Sequence, residues 1–223
     1  MSGSHLSKQF FELVKAIGES KSKQEEDRII VKEVEVLKEK FSKKAKPAET
    51  KEYLVRLMYC EMLGHDGSFG YIHAVQLSAR EHLSHKKTAY LACAQMLRPD
   101  HELRFMMVNQ MQRDLQSLNY IQICVGLIAL AKLGTKDMIP AMVGLVAQCL
   151  QNDEALVRKK AVMVMHRFHQ MDDTSVDDYT DHFRRTLCDK DPSVMGCALH
   201  VLSDMAVKDP IAYKDLVPSY VSI

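Results

Sequence analysis

The sequence predicts an all-α protein built from stacked helical hairpins, and three features favour that fold. The 223 residues include only 9 Gly and 6 Pro, which is few for the dense turns of a β-sandwich or barrel. Met is abundant with 14 copies, whereas Trp is absent, a composition that favours helices over strands. Helix-capping residues recur along the chain, and one helical segment recurs at a constant spacing.

Helix-boundary signals are clear in the first part of the chain. Ser22–Glu25 has the sequence SKQE, a capping box that predicts a long charged helix ending near Phe41. A basic linker at Lys43–Pro47 follows, and the next helix is predicted from Thr50 to Leu63, with Gly64 at its C′ position. The apolar face of this helix consists of Leu54, Leu57, Met58 and Met62.

Similar signals continue to the C-terminal part. Ser84, Thr135 and Asp191 are predicted N-caps, and Pro192 occupies the first helical position after Asp191. Pro99 and Gly134 separate further helices. In total the boundary signals predict about eleven helices joined by short loops, and no strand.

A ten-residue segment recurs four times without gaps. The copies begin at Thr88, Cys124, Lys160 and Gly196, so the period is 36 residues. A helical hairpin with its turns occupies about 35–45 residues, so this period predicts a right-handed α-solenoid of HEAT/armadillo-like hairpins. An irregular helical bundle that shares the period by chance is the alternative.

Two positions of the repeat carry a packing prediction. The second position is small or β-branched, which lets a neighbouring layer approach closely, and the fourth is long and apolar, which would fill the remaining gap. The second positions are Ala89, Val125, Ala161 and Cys197. The fourth positions are Leu91, Leu127, Met163 and Leu199.

Cysteine usage and hydropathy indicate the compartment. The cysteines form no C-x-x-C pair and most lie in apolar helical stretches, so we expect reduced core cysteines in a cytosolic protein. The longest apolar run, about nine residues near Ile123–Ala131, is too short to cross a bilayer, so any membrane contact is expected to be peripheral. The six cysteines are Cys60, Cys93, Cys124, Cys149, Cys188 and Cys197.

No motif for catalysis, for a cofactor or for a metal emerges. Phosphate-binding, nucleophile-elbow and metalloprotease patterns are absent, and Gly64–Gly70 is interpreted as a loop between helices. His82 with His85, and His166 with His169, have a spacing that could share a metal, but neither pair has a third ligand nearby. A formal charge of +1 also argues against nucleic-acid binding through bulk charge. The sequence therefore predicts a protein that is not an enzyme.

One basic run has two interpretations. Its lysines could form a solvated helix face and linker, or contact anionic lipid at a membrane surface. The run consists of Lys38, Lys40, Lys43, Lys44 and Lys46.

The segment Glu52–Leu77, EYLVRLMYCEMLGHDGSFGYIHAVQL, resembles the large subunits, or adaptins, of the heterotetrameric clathrin-adaptor (AP) complexes. The Leu-Gly-His-Asp-x-x-Phe-Gly core within it is shared across several large-subunit types. The version here is most similar to the epsilon type of the fourth complex, with the gamma type of the first complex as the alternative. Stretches such as Val157–Val162 and Phe183–Asp189 extend the resemblance over nearly the whole chain.

This resemblance implies that residues 1–223 are the N-terminal part of an adaptin trunk, without hinge or ear. It implies a non-enzymatic scaffold that assembles with beta-type large, medium and small subunits. Such complexes sort cargo tails on the cytosolic face of the trans-Golgi network and on vesicle membranes, after recruitment by a GTP-bound Arf-type GTPase. A stand-alone helical-repeat transport receptor is the alternative from another functional class.

The resemblance also implies particular site residues. Ile72, Val75 and Met106 match the contact with the switch regions of Arf, and the alternative is that all three belong to the core. The phosphoinositide site of a relative matches Thr50–Glu52, where an acid replaces a lysine. An arginine that helps bind dileucine signals in relatives matches Gly18, which cannot serve that role.

Overall fold

The structure is a computed structural model that describes residues 7–211, 213 and 214, and these residues contain no β-strand. They form twelve α-helices and three short 3₁₀ turns. The helices are α1 Lys8–Gly18, α2 Lys23–Ser42, α3 Pro47–Met62, α4 Tyr71–Ser78, α5 Leu83–Met96, α6 Leu103–Met106, α7 Val108–Leu115, α8 Tyr120–Leu133, α9 Ile139–Cys149, α10 Ala155–Met171, α11 Thr180–Thr186 and α12 Pro192–Lys208. The chain divides into two compact units, residues 1–107 and 108–223.

The first unit is built from two helical hairpins. Helix α2 packs on α3, α4 packs on α5, and the second helices α3 and α5 pack on each other, while α1 covers α2. Ser22 caps α2 as predicted, because its Oγ accepts a hydrogen bond from the Glu25 N–H (3.2 Å). The Glu25 carboxylate accepts in turn from the N–H of Lys21 (2.9 Å).

A buried guanidinium joins the first three helices. Arg56 of α3 donates through Nε to Glu33 of α2 (2.6 Å) and through Nη1 to Gln9 of α1 (2.7 Å). The same Nη1 reaches Glu52 one turn earlier on α3 (3.2 Å). Burial raises the pKa of Glu33, and the positive charge of Arg56 opposes that rise. The buried guanidinium is therefore paired with two carboxylates and one amide oxygen, which offset the cost of burying its charge.

The glycine-rich loop after α3 is a packing element. Gly64 has φ +94°, in the left-handed region that favours glycine at a helix C-terminus. Gly70 lies against α3 so closely that an added Cβ would be 2.1 Å from Leu57 Cδ2. Between them the Ser68 N–H donates to Asp66 Oδ1 (3.1 Å). The interpretation of this segment as a loop between helices is confirmed.

The second unit continues the hairpin pattern. Helices α7 and α8, α9 and α10, and α11 and α12 form hairpins, and α8, α10 and α12 pack in succession. The four repeat segments lie in α5, α8, α10 and α12, which begin at residues 83, 120, 155 and 192. The predicted all-α fold of stacked HEAT/armadillo-like hairpins is confirmed.

The packing prediction for the repeat is half right. Ala89, Val125 and Ala161 are buried, as expected for the close-packing position. At the fourth position Leu127 is buried, as predicted, and Leu199 is half-buried, but Leu91 and Met163 are exposed. Two residues along an α-helix correspond to a rotation of about 200°, so these positions point to nearly opposite sides and cannot both face one neighbour.

Several boundary predictions need correction. The helix predicted from Thr50 begins at Pro47, because proline fits the first turn, where its missing N–H is not needed. Helix α5 is capped by His82, whose Nδ1 accepts from the N–H of Ser84 (3.3 Å), so Ser84 is not the N-cap. Thr135 precedes only a 3₁₀ turn and makes no side-chain cap bond. Asp191 is confirmed, because its Oδ1 accepts from the Ser193 N–H (2.8 Å).

The cysteine prediction holds for most thiols. Four are buried, and burial raises the pKa of Cys60 and Cys93 to about 12 and that of Cys149 to about 11. Cys188 is exposed, so its assignment to the core is wrong. It lies in the turn that follows the end of α11 at Thr186.

Candidate functional site

The structure separates the three residues predicted to contact a GTPase. Ile72 of α4 is 37% exposed and Met106 of α6 is 60% exposed, and these two helices pack against each other. Val75 is only 8% exposed, on a helix that packs against α3, α5 and α6. The expectation of three exposed side chains is therefore wrong for Val75. Met106 and Ile72 remain as candidates.

Sequence reasoning missed Phe105, which is 51% exposed beside Met106. Its signal was the apolar run Phe105-Met106-Met107 at the end of α6, since three consecutive side chains of a helical turn point in different directions and cannot all be buried on one face. Only Met107 of the three is buried. We call Ile72, Phe105 and Met106 the α4–α6 surface.

Buried and half-buried polar contacts hold this surface in place. Arg104 of α6 is buried, and its Nη2 donates to the carbonyl oxygen of Leu97 (2.5 Å). At the start of α4, Tyr71 Oη donates to Glu61 Oε1 (2.5 Å), and burial together with the nearby Glu61 carboxylate raises the pKa of Tyr71 to about 12. Tyr71 also packs edge-on against His101, which precedes α6 (5.5 Å between ring centroids). The apolar side chains therefore project from a fixed base.

The basic run is not one uniform face. Lys38 Nζ lies 5.3 Å from the centre of the Phe69 ring, and Lys40 Nζ lies 4.9 Å from that of Tyr53. Lys43 forms an ion pair with Glu39 (2.6 Å). These three cations lie near the C-terminus of α2, where a positive charge interacts favourably with the helix dipole and stabilises the helix. Lys44 and Lys46 lie in the linker before α3 and are exposed.

The residues that match the phosphoinositide and dileucine sites of relatives either form hydrogen bonds within this chain or lack a side chain. Lys51 Nζ donates to Ser84 Oγ (2.5 Å). Glu52 accepts from Ser7 Oγ (2.7 Å) and from Arg56. Gly18 is the last residue of α1 and has no side chain to offer. Neither site of the relatives is reproduced by these side chains.

The two histidine pairs differ in their contacts. His82 and His85 have ring centroids 4.6 Å apart, and His166 Nε2 lies 2.7 Å from Asp204 Oδ2. Within residues 7–211, 213 and 214, no group of three or more His, Cys, Asp or Glu side chains could hold a metal ion. In the same part of the chain, no helix combines the length and apolar character that a bilayer crossing requires.

Comparison with protein families decides the classification. The family model described as the adaptin N terminal region matches residues 26–223. The chain belongs to the adaptin family. This adaptin is 47% identical to the AP-4 complex subunit epsilon of Arabidopsis thaliana over 97% of its length, and 39% identical to AP-4 complex subunit epsilon-1 of Homo sapiens over 95%. The predicted resemblance to the epsilon type is confirmed. The chain spans 23% and 19% of the lengths of these two relatives.

Known structures agree on the fold. A homology model of the full-length AP-3 complex matches 77% of the adaptin with a TM-score of 0.67 at 22% identity, over 30% of the matched chain. A designed armadillo repeat protein in complex with a (KR)4 peptide matches 88% with a TM-score of 0.56 at 12% identity, over 99% of that protein. At these identities the likeness concerns the helical-repeat fold alone.

Proposed function

We propose that this adaptin acts as a non-enzymatic scaffold in the large subunit of a heterotetrameric adaptor complex of the AP-4 type. The observation that carries the proposal is the 47% identity with an AP-4 epsilon subunit over 97% of the chain. Identity to the AP-2 complex subunit alpha-1 of Arabidopsis thaliana is much lower, 25% over 79% of the chain. The family match to an adaptin N-terminal region supports assigning residues 1–223 to the N-terminal part of the trunk.

The partners in this proposal are a beta-type large subunit, a medium subunit and a small subunit. Exposed apolar side chains on the packed helices α8 and α10 support protein contacts in the second unit, because large apolar groups on a surface commonly mark interfaces. Helix α8 contributes its second and ninth residues, and α10 does the same. The four residues are Ile121, Ile128, Leu156 and Met163.

Recruitment by a GTP-bound Arf-type GTPase is the second part of the proposal. The α4–α6 surface supports it, because three exposed apolar side chains lie on two helices that pack against each other. The complex would sort cargo tails on the cytosolic face of the trans-Golgi network and of vesicle membranes, in peripheral contact with the bilayer.

Co-assembly tests the proposal. The tagged chain is co-expressed with the beta-type, medium and small subunits of the Arabidopsis AP-4 complex, and separately with those of the first complex as a control. We expect the AP-4 set, and its small subunit in particular, to co-purify with the chain at equal stoichiometry. Equal recovery of both sets, or of neither, would contradict the assignment.

A further inference from the structure

A polar groove runs between α9 and α11 in the second unit. Helix α9 packs on α10 and α11 packs on α12, and the groove lies between these two first helices of successive hairpins. It has two compartments, of about 340 Å³ and about 160 Å³. Gln151 and His182 line both compartments, so the two adjoin as parts of one groove.

The first wall is one face of α9 and of the turn that follows it. Its residues recur at intervals of three or four, which places them on one side of a helix. Gly144 lies in the larger compartment, where Tyr179 Oη would be 3.7 Å from an added Cβ. Because glycine has no side chain, this compartment keeps room for a ligand group. The residues of this wall are Gly144, Ala147, Gln148 and Gln151.

Several polar side chains of the groove have no partner within the described part of the chain. Gln148, Gln151 and Arg185 are exposed, and none of them forms a side-chain hydrogen bond or ion pair with a described residue. His182 is half-buried beside Tyr179, with 6.2 Å between the ring centroids, and its Nδ1 is buried without a hydrogen-bond partner among these residues. A buried nitrogen without a partner is costly, which favours a ligand that supplies the missing hydrogen bond.

The charges of the groove favour an anionic ligand. Among the described residues that line it, the only carboxylate is Asp189, and both of its oxygens are occupied. Oδ1 accepts from Arg158 (2.7 Å) and from the N–H of Asp191 (2.8 Å), while Oδ2 accepts from Arg158 (2.7 Å). The lining cation, Arg185, is unpaired. The C-terminal ends of α9 and α11 lie beside the N-terminal ends of α10 and α12 in their hairpins, so the helix dipoles largely cancel there.

We propose that this groove binds an extended acidic peptide segment of a partner protein. A glutamine amide both donates and accepts, which suits an extended chain whose own N–H and C=O groups are unpaired. Gly144 and Gln151 are separated by about 10 Å along the helix direction, a distance that about three extended residues cover. The guanidinium of Arg185 is suited to pair with an Asp or Glu carboxylate of the peptide. Neither the subunit contacts nor the α4–α6 surface of the proposed function uses this groove.

Blocked peptides test the charge preference. The 223-residue chain, labelled with ¹⁵N, is titrated with N-acetylated and C-amidated Ala-Ala-Glu-Ala-Ala and with the matching lysine peptide, and followed by NMR. The glutamate peptide should shift the side-chain amide signals of Gln148 and Gln151, and should bind about fivefold more tightly than the lysine peptide, because only it can pair with Arg185. N-acetylglutamate amide, which lacks the neighbouring peptide units, should bind more weakly than the glutamate peptide.

Two double variants with the same chemical change make the comparison specific. Arg185→Gln with Gln151→Ala should weaken binding of the glutamate peptide about tenfold and remove its advantage over the lysine peptide. Arg113→Gln with Gln116→Ala, two exposed positions in and just after α7 that do not line the groove, should leave binding within about twofold. Thermal melts of both variants should match that of the parent chain, because all four side chains are exposed.

Tighter binding of the glutamate peptide, lost in the groove variant and kept in the control, supports the proposal. The absence of binding, equal affinity for the two peptides, or equal weakening by the two double variants overturns it. Binding of N-acetylglutamate amide as tightly as the glutamate peptide also overturns it, because the site would then recognise a small carboxylate rather than a peptide. Subunit co-assembly is measured without any peptide, so failure of the groove and failure of the scaffold role are distinguishable.

Discussion

The guanidinium of Arg158 forms two parallel hydrogen bonds with the carboxylate of Asp189, each 2.7 Å long. The remaining nitrogen, Nη1, donates to the carbonyl oxygens of Asn152 and Asp153, both at 2.8 Å. Arg158 belongs to α10 and Asp189 to the connection between α11 and α12. This one buried side chain thus joins two neighbouring hairpins at their loops.

Replacing Arg158 by alanine should lower the free energy of unfolding by about 3 kcal/mol, because a buried carboxylate and two carbonyl groups lose their donor. Urea denaturation followed by circular dichroism measures the change. Arg167→Ala, at an exposed position of the same helix, is the control and should change stability by less than about 0.5 kcal/mol. An equal effect of the two substitutions would show that the Arg158–Asp189 pair does not contribute to the free energy of unfolding.

The same pair predicts a pH dependence. The hydrogen bonds from Arg158 hold the pKa of Asp189 below its usual range. A carboxyl whose pKa is depressed by folding contributes stability above its unfolded pKa, near 3.9, and that contribution is lost as the pH falls through the folded value. The stability difference between the parent chain and Arg158→Ala should therefore be constant near neutral pH and shrink below about pH 4. A difference that grows with acidity would contradict this assignment.

The α4–α6 surface predicts opposite outcomes for neighbouring substitutions. Met106→Asp with Ile72→Asp should preserve the thermal melt but weaken binding to GTP-loaded Arf by well over tenfold, since interface hot spots contribute about 2 kcal/mol or more each. Val75→Asp should instead destabilise the first unit, because it buries a charge. Leu118→Asp, at a fully exposed leucine, is the control. Unchanged pulldown of Arf by the double variant would remove the surface from consideration.

Glycine substitutions test the loop before α4. Gly70→Ala should cost about 1–3 kcal/mol, because the new methyl group would collide with Leu57. Gly64→Ala meets no atom within 4 Å and should cost only about 1 kcal/mol, through its positive φ. Gly18→Ala, in open space at the end of α1, serves as the reference. We expect the melting temperature to fall most for Gly70→Ala, less for Gly64→Ala and least for Gly18→Ala.

Thiol reactivity tests the burial of the cysteines. In the folded chain Cys188 should react rapidly with a water-soluble disulfide reagent, because it is exposed. The buried thiols, including Cys60 and Cys93, should react only through unfolding, since burial raises their pKa and the thiolate is the reactive form. Cys188→Ser should abolish the fast phase and leave only a slower one from Cys197, which is half-buried and whose pKa is raised by burial. A fast phase that survives this substitution would show that another thiol is accessible.

The period of the repeat was predictable from sequence because close helix packing demands a small residue, and Ala89 and Ala161 supply it at the same register. The burial of Val75 was not predictable, because Ile72 and Val75 are only one turn apart and the sequence does not show which of them the neighbouring helices cover. The cap of α5 was missed because histidine rarely serves as an N-cap, whereas Ser84 is a favoured residue type.

The shared guanidinium of Arg56 also constrains how the sequence can vary. Glu33 and Glu52 approach one cation from two helices, and Gln9 adds an amide from a third. Lysine has a single nitrogen and cannot reproduce these directions, so Arg56→Lys leaves at least one group without its donor. Loss of either carboxylate leaves part of the buried positive charge uncompensated. The four positions therefore depend on one another, and we expect a substitution at one of them to be tolerated only when the others change with it.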